Sequence, residues 1–322
     1  MTTVNSVLGP LDTADLGFTL MHEHLIASAP GVLQNYPELF GAGFMERIVN
    51  KLTQAKEGGI DTIVDATTFD LGRDVAVLAE ASRLTGVNII TVTGWWLNIP
   101  RSLTGVSAGQ FAQLFIREIQ EGIAGTDIKA GILKSASDIS GVTPGEEAVL
   151  RGVARAHLKT NIPIMLHSYS PGQVGRQQLA ILKEEGVDLR RVKMDHSNDT
   201  TDVEYLTWLL EQGCYLGMDR YPGGYVGGYP GFITSPLART KTMKALIDAG
   251  YGDRLLPSHD WSSVWIAAEA PLVSQEEREA RNPCGYLYMK KVVFPQLREM
   301  GVPEVTLNHL CVDNPRHFFE GA

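Results

Sequence analysis

His22-Glu23-His24 sets two imidazoles two residues apart inside an apolar run. In a strand, residues i and i+2 project from the same side. Both rings can then reach one cation, while Glu23 faces away. Imidazole is the commonest neutral metal ligand and suits zinc, iron or cobalt. An H-x-H by itself serves equally well as a satisfied core pair. It gains weight because His167 and His196 each close another apolar run and each precede a serine. Asp260 ends a further run and is a hard oxygen ligand that could also accept a proton. Lys134 ends another, and an ammonium among metal ligands would repel the cations. Three resolutions are open. Lys134 can point into solvent. It can form a Schiff base with a depressed pKa. Or CO2 can convert it to a carbamate (N6-carboxylysine), an anionic ligand able to bridge two metals. The other donors favour the carbamate, because two divalent cations need anionic charge and Asp260 alone supplies little. A cation pair lowers the pKa of bound water toward about 7 and polarises a substrate oxygen. The chemistry indicated is hydrolysis of an ester, amide or phosphoester.

The remaining histidines are less suggestive. His157 lies in the helical stretch RGVARAHLK, and His309 and His317 lie near the C-terminus, so structural or solvent-facing roles are expected. His259 precedes Asp260 and should face the opposite side of its strand. Cys214, Cys284 and Cys311 are widely spaced, odd in number and in no C-x-x-C pair. They read as small buried apolar residues in a reducing compartment rather than as a disulfide framework.

These residues have to be positioned by something. Short apolar, β-branched runs recur at 18–24, 60–68, 88–96, 128–136, 162–168, 192–197, 214–220 and 254–260. Helical periodicity fills gaps between them, as with Met45, Ile48, Val49 and Leu52, and more weakly with Leu179, Ile181 and Leu182. Glycines precede several runs, at Gly58-Gly59, Gly86, Gly186 and Gly213, where a helix end needs the left-handed cap. Alternation of this kind predicts parallel strands with helical crossovers. Eight such units predict an α/β fold, a (β/α)8 TIM barrel in a single domain over 1–322, with the donors at the C-terminal strand ends. A doubly wound open sheet is the competing topology, weakened by the lack of a G-x-G-x-x-G after the first run.

Bulk composition is compatible with this. The chain has 322 residues, 44% of them apolar, and a net charge of −9. That length suits one such barrel with insertions. No basic run supports nucleic-acid binding, and no apolar run reaches the roughly 20 residues of a membrane span. The N-terminus lacks the basic and apolar regions of a signal peptide. A cytoplasmic protein is expected.

The motifs together resemble the phosphotriesterase family of the amidohydrolase superfamily over nearly the whole chain. The markers are GFTLMHEHL (17–25), VDATTFDLGRD (64–74), AGILKSAS (130–137), MLHS (165–168), DHSNDTTD (195–202), LGMDRYPG (216–223) and SHDW (258–261). The resemblance implies a binuclear site. His22, His24 and Asp260 would hold the more buried metal, and His167 and His196 the more exposed one. Carboxylated Lys134 and a hydroxide would bridge them. The hydroxide attacks, Asp260 takes the proton, and Asp199 matches a second relay carboxylate; an N-cap for the following helix is an equally good reading of Asp199. Two divalent ions are implied, zinc first among them, with iron, cobalt or manganese as substitutes. A homodimer is implied as well.

Within the family, Asp219-Arg220-Tyr221 is similar to the phosphotriesterase-like lactonase branch. Triesterases usually carry histidine where Arg220 stands. The stretch from Pro222 to Pro230 would be a short mobile loop over the mouth. Trp96 and Leu97 after the third run, with Tyr221, Trp261 and Trp265, would make an apolar funnel for an acyl chain or an aryl group. Lactonases often have tyrosine at the position of Trp96, whereas triesterases can have tryptophan. The leading expectation is a quorum-quenching lactonase acting on N-acyl-homoserine lactones or related apolar lactones, with side activity on organophosphate triesters. A phosphotriesterase (aryldialkylphosphatase) proper is the alternative. A Schiff-base lyase using Lys134 and a non-catalytic metal-stabilised barrel are more distant readings.

Overall fold

The computed structural model describes residues 2–223, 234–266 and 275–321. An antiparallel hairpin of β1 (Thr3–Ser6) and β2 (Gly9–Asp12) opens the chain. A parallel sheet follows, built from β3 (Thr19–Ser28), β4 (Thr62–Asp65), β5 (Asn88–Gly94), β6 (Ile132–Ser137), β7 (Ile164–Ser168), β8 (Val192–Asp195), β9 (Tyr215–Met218), β10 (Leu255–Pro257) and β11 (Ser262–Ile266). Each apolar run of the sequence produced one of β3 to β10. The hairpin and β11 had no such signal, since β1 and β2 are short and largely polar.

The sheet order is β10-β9-β8-β7-β6-β5-β4-β3-β11. Neighbours follow chain order without reversal, which removes the doubly wound alternative, because that topology requires a switch point. The two outer strands, β10 and β11, are separated only by residues 258–261. That segment bonds to β3: Asp260 N donates to His22 O at 3.0 Å, and His22 N donates to Ser258 Oγ at 3.1 Å. The sheet therefore curls until its last strand meets its first, consistent with a TIM-like barrel.

Alternation along the strands sorts the core into two sets. Ile63, Ile89, Leu133, Leu166, Met194, Leu216 and Leu255 pack with helix residues such as Ile48, Leu52, Leu150, Val153, Leu179 and Leu182. Their neighbours Val64, Ile90, Val92, Ile132, Met165, Tyr215 and Leu256 form a second cluster on the other face. Burial on both faces explains the nearly continuous apolar runs of a parallel sheet. Lys134 and His167 lie two residues from Ile132 and Met165 of the second set, and Lys193 and Asp195 flank Met194 of the first, so period-2 geometry turns all four to the same inner face.

Local signals place the connecting helices. Pro144–Thr160 begins with a capping box in which Thr143 and Glu146 satisfy each other's backbone N–H. Val75–Thr85 ends on Gly86 at φ 69°, the left-handed cap its sequence position indicates. Val203–Glu211 is capped by Asp202, whose side chain accepts from Tyr205 N, so Asp199 is not the cap of that helix. Cys214 and Cys311 are buried as expected, but Cys284 is only half-buried, in the turn before Gly285–Leu287. No helix among the described residues is long and apolar enough to cross a membrane.

Candidate metal centre

His22 and His24 lie on β3, Lys134 on β6 and His167 on β7. His196 follows β8, and Asp260 lies between β10 and β11. The last two take left-handed backbone angles, φ 60° and 52°. For residues other than glycine this costs roughly 1–2 kcal/mol each, and it occurs where the chain turns out of the sheet. The six side chains converge. Asp260 Oδ1 lies 3.2 Å from His24 Nε2 and 3.4 Å from His22 Nε2. Lys134 Nζ is 3.3 Å from His22 Nε2 and donates to Ala66 O at 3.0 Å. His196 Nε2 and His167 Nδ1 face each other at 2.9 Å. The rings of His22 and His196 are 5.0 Å apart. Lys134 is 1% exposed, so the solvent-facing resolution for its ammonium is excluded.

The donor chemistry fits a cation. One oxygen or nitrogen from each of His22, His24 and Asp260 comes within 4.8 Å of the others, and the same holds for His22, His196 and Asp219. Burial pushes the imidazoles of His24, His167 and His196 below the usual histidine range, so they are neutral with a free lone pair. His22 behaves differently. Burial and Lys134 push it down, but Asp195, Asp260 and Asp219 outweigh them and raise it, making its surroundings favourable to positive charge. Burial would raise the Asp260 carboxyl; His22, His24, His196 and Arg220 instead hold it well below the usual carboxylate range. Burial lowers the Lys134 ammonium, with neighbouring carboxylates only partly opposing it.

A second ring of residues orients these donors, and sequence patterns had singled out few of them. His24 Nδ1 meets Thr67 Oγ1 at 2.7 Å. His167 Nε2 is 3.3 Å from Asp138 Oδ2. His22 Nδ1 faces Asp195 Oδ2 at 3.2 Å and Asp219 Oδ2 at 3.3 Å, and His196 Nδ1 is 3.0 Å from Asp219 Oδ1. Such partners fix ring orientation and tautomer. The charged–apolar–charged triplet Lys193-Met194-Asp195 was the one available signal, since charges seldom line a central strand without a partner. Glu23 turns away from the donors as expected, and His259 is no donor to the site: its Nδ1 lies 2.6 Å from Glu23 Oε1, and its Nε2 accepts from Met289 N. His157 Nδ1 lies 2.8 Å from Ile162 O, and His309 Nδ1 lies 3.0 Å from Asp313 Oδ2, both within structural settings.

Arg220 stands between two carboxylates. Its Nε donates to Asp260 Oδ2 at 3.1 Å and its terminal NH1 to Asp199 Oδ2 at 2.5 Å. Asp199 Oδ1 in turn accepts from buried Arg239 at 2.6 Å. Both oxygens of Asp199 are thus held by guanidinium groups.

The aromatic residues divide. Trp96 is half-buried and presents an edge to His167, ring centroids 5.8 Å apart, with Nε1 3.4 Å from His167 Nδ1. The Asp70 carboxylate anchors it by accepting from Trp96 N at 3.0 and 3.1 Å. Trp95 is buried and donates to Leu97 O, a packing role, and Leu97 is itself buried. Tyr221 is buried against Tyr288, and Trp261 is buried and donates its backbone N–H to Glu23 Oε2. Trp265 pairs through its backbone with Ala27 in β11; its side chain lies outside the described residues, as does most of the Pro222–Pro230 stretch. Because Trp96 touches a donor without supplying one, Trp96→Ala is expected to change the ratio of kcat/KM between lactone and triester by about tenfold or more, with metal content retained. Equal loss on both substrates would show that it does not select.

A family model described as the phosphotriesterase family matches residues 2–319. The chain is 38% identical over 335 residues to the phosphotriesterase homology protein of Mycobacterium tuberculosis, covering 99% of this chain and 98% of that one. It is 33% identical over 312 residues to an aryldialkylphosphatase of Saccharolobus solfataricus, covering 96% of each. It is 26% identical over 349 residues to the human N-acetyltaurine hydrolase, covering 98% of this chain and 97% of that one. Fold, site and similarity agree on a metal-dependent hydrolase. The chain belongs to the phosphotriesterase family.

Proposed function

We propose that this hydrolase opens lactones, N-acyl-homoserine lactones or related apolar ones, and cleaves organophosphate triesters as a side activity. The observation that carries this reading is Arg220, seated between Asp260 and Asp199 at the edge of the donor cluster. His22, His24 and Asp260 would hold one divalent cation, and His167 and His196 a second. Lys134, carboxylated, would lie between them. Its amine is held low by burial, and a neutral amine is the form that adds to CO2. The ammonium gives up one proton to become that amine and a second as the N–C bond to CO2 forms, so a buried cation becomes an anion, which relieves the repulsion that an ammonium would create here.

Bound there, zinc, iron, cobalt or manganese would acidify a water and polarise the substrate's C=O or P=O oxygen. Asp260 accepts the proton of the attacking water at its carboxylate. His22, His24 and His196, with Arg220 adding to them, keep that carboxylate ionised, and Arg220 orients it through Oδ2. A guanidinium does not give up its own proton, so Asp199 acts on Asp260 by holding Arg220 in place. Trp96 walls the space beside His167, and an apolar wall suits an acyl chain.

Trp96 and the similarity to an aryldialkylphosphatase favour a second reading, a triesterase proper. Attack on carbonyl carbon and on phosphorus uses the same donors, so kinetics must separate them. The test is kcat/KM for a long-chain N-acyl-homoserine lactone and for an aryl dialkyl phosphate triester, on one metal-replete preparation with a chelator-treated control. Preference for the lactone is expected. Preference for the triester overturns the lactonase reading, and activity that survives verified metal removal overturns the metal mechanism.

A further inference from the structure

Beneath the donor cluster lies a fully buried ionic group. Lys193 and Asp195 project inward from β8, and Asp219 follows β9; all three are 0% exposed. The Lys193 ammonium donates to Asp195 Oδ1, and at 2.7 Å to Asp219 Oδ2. The carboxylates then meet the histidines from behind. Asp195 Oδ2 is 3.2 Å and Asp219 Oδ2 is 3.3 Å from His22 Nδ1. Asp219 Oδ1 accepts from His196 N at 2.7 Å and lies 3.0 Å from His196 Nδ1.

We propose that Lys193 is a positioning residue, whose ammonium clamps Asp195 and Asp219 so that both carboxylates face Nδ1 of His22 and His196. An ionised carboxylate only accepts hydrogen bonds. His196 therefore carries its N–H on Nδ1, hydrogen-bonded to Asp219, and the two negative charges beside His22 Nδ1 draw that ring's N–H to the same position, so both rings turn an unprotonated Nε2 toward the cation site. The other ends of the rings agree: His22 Nε2 looks toward Asp260 and Lys134, and His196 Nε2 toward His167. Without the ammonium, two carboxylates would share one imidazole out of water, an arrangement that leaves uncompensated charge.

The backbone of β9 provides a separate observation. Residue 217 is glycine, and a Cβ there would come within 2.2 Å of Asp219 Oδ2 and 2.9 Å of Lys193 Nζ. The strand leaves out a side chain where the clamp sits. Gly217 has no left-handed angle to account for its being glycine, so close approach of the ionic group is the physical reason.

This inference rests on the reading of the site as a cation centre. It is tested by titrating Co2+ into the metal-free protein, following the visible absorption of the bound ion with a competing chelator. Lys193→Met is expected to weaken Co2+ binding by about 10–100-fold, the usual consequence of losing an orienting partner. Lys193→Met combined with Asp195→Asn removes one positive and one negative charge together and leaves Asp219 to orient both rings. Binding in that double variant should return to within about threefold of wild type, a non-additive recovery that a purely structural role would not produce. Lys193→Met binding Co2+ like the wild type would overturn the proposal. So would a double variant as weak as the single one, or one that does not fold. If the single variant alone fails to fold, the double variant decides by the same criterion. A wild type that binds no Co2+ at all would instead refute the cation centre, and the clamp with it.

Discussion

Lys134→Ala should yield a protein that has lost most of its bound metal and its hydrolytic activity. Lys134 is the one donor candidate that begins as a cation, and its Nζ sits 3.3 Å from His22 Nε2 in a site closed to solvent. If the carbamate supplies the anionic oxygens between the cations, removing it takes away ligands of both. The loss in kcat/KM should exceed the roughly 10–100-fold cost of deleting a supporting partner. A short carboxylic acid such as propionate fits the space left by the side chain and offers the same two oxygens, so partial rescue of metal content and activity is expected. Metal analysis of the purified variant is the deciding measurement, and unchanged content would sink the carbamate. The same site also tests the distant alternative: a Schiff-base lyase would be trapped by borohydride on substrate and would ignore chelators.

Glu23→Ala is expected to destabilise the metal-free fold by about 3–5 kcal/mol, in the range seen when a buried charge partner is removed. Glu23 is 0% exposed and takes up four donors from the chain that closes the sheet. Its Oε1 accepts from Ser258 Oγ at 2.7 Å and His259 N at 2.9 Å and meets His259 Nδ1 at 2.6 Å, while Oε2 accepts from Trp261 N at 3.0 Å. Deleting the carboxylate strands two backbone N–H groups and an imidazole out of water, each at roughly 1–3 kcal/mol. For a chain of this length the midpoint should fall by about 4–7 °C, at roughly 1.5 °C per kcal/mol. Metal affinity should fall too, since Asp260 is carried by the segment that Glu23 anchors. Denaturant unfolding of the metal-free variant reads the effect, and a change under about 1 kcal/mol would mean that the segment is held by other bonds.

The pair His22 and His24 shows how far a sequence reaches. Two imidazoles at i and i+2 in an apolar run share a side whatever the fold, and the placement of His167 and His196 after further runs told that the partners lie at strand ends. Apolar, β-branched runs likewise announced β3 to β10, because a parallel strand buried on both faces is apolar along most of its length. The residues of β11 were not announced, because that strand is defined by pairing with β3, far away in sequence.

What the sequence by itself determined is therefore the donor types, their strand-end positions and the alternation that turns them inward, all of which follow from local geometry. Only the tertiary structure decided what each donor experiences. It put Lys134 out of reach of solvent, raised His22 by surrounding it with three carboxylates, and wedged Arg220 between Asp260 and Asp199. It also joined Lys193 and Asp195 to Asp219, across from β8 to the end of β9. Burial and Coulomb interaction depend on distance through space, and closure of the sheet sets those distances between residues that no sequence period connects.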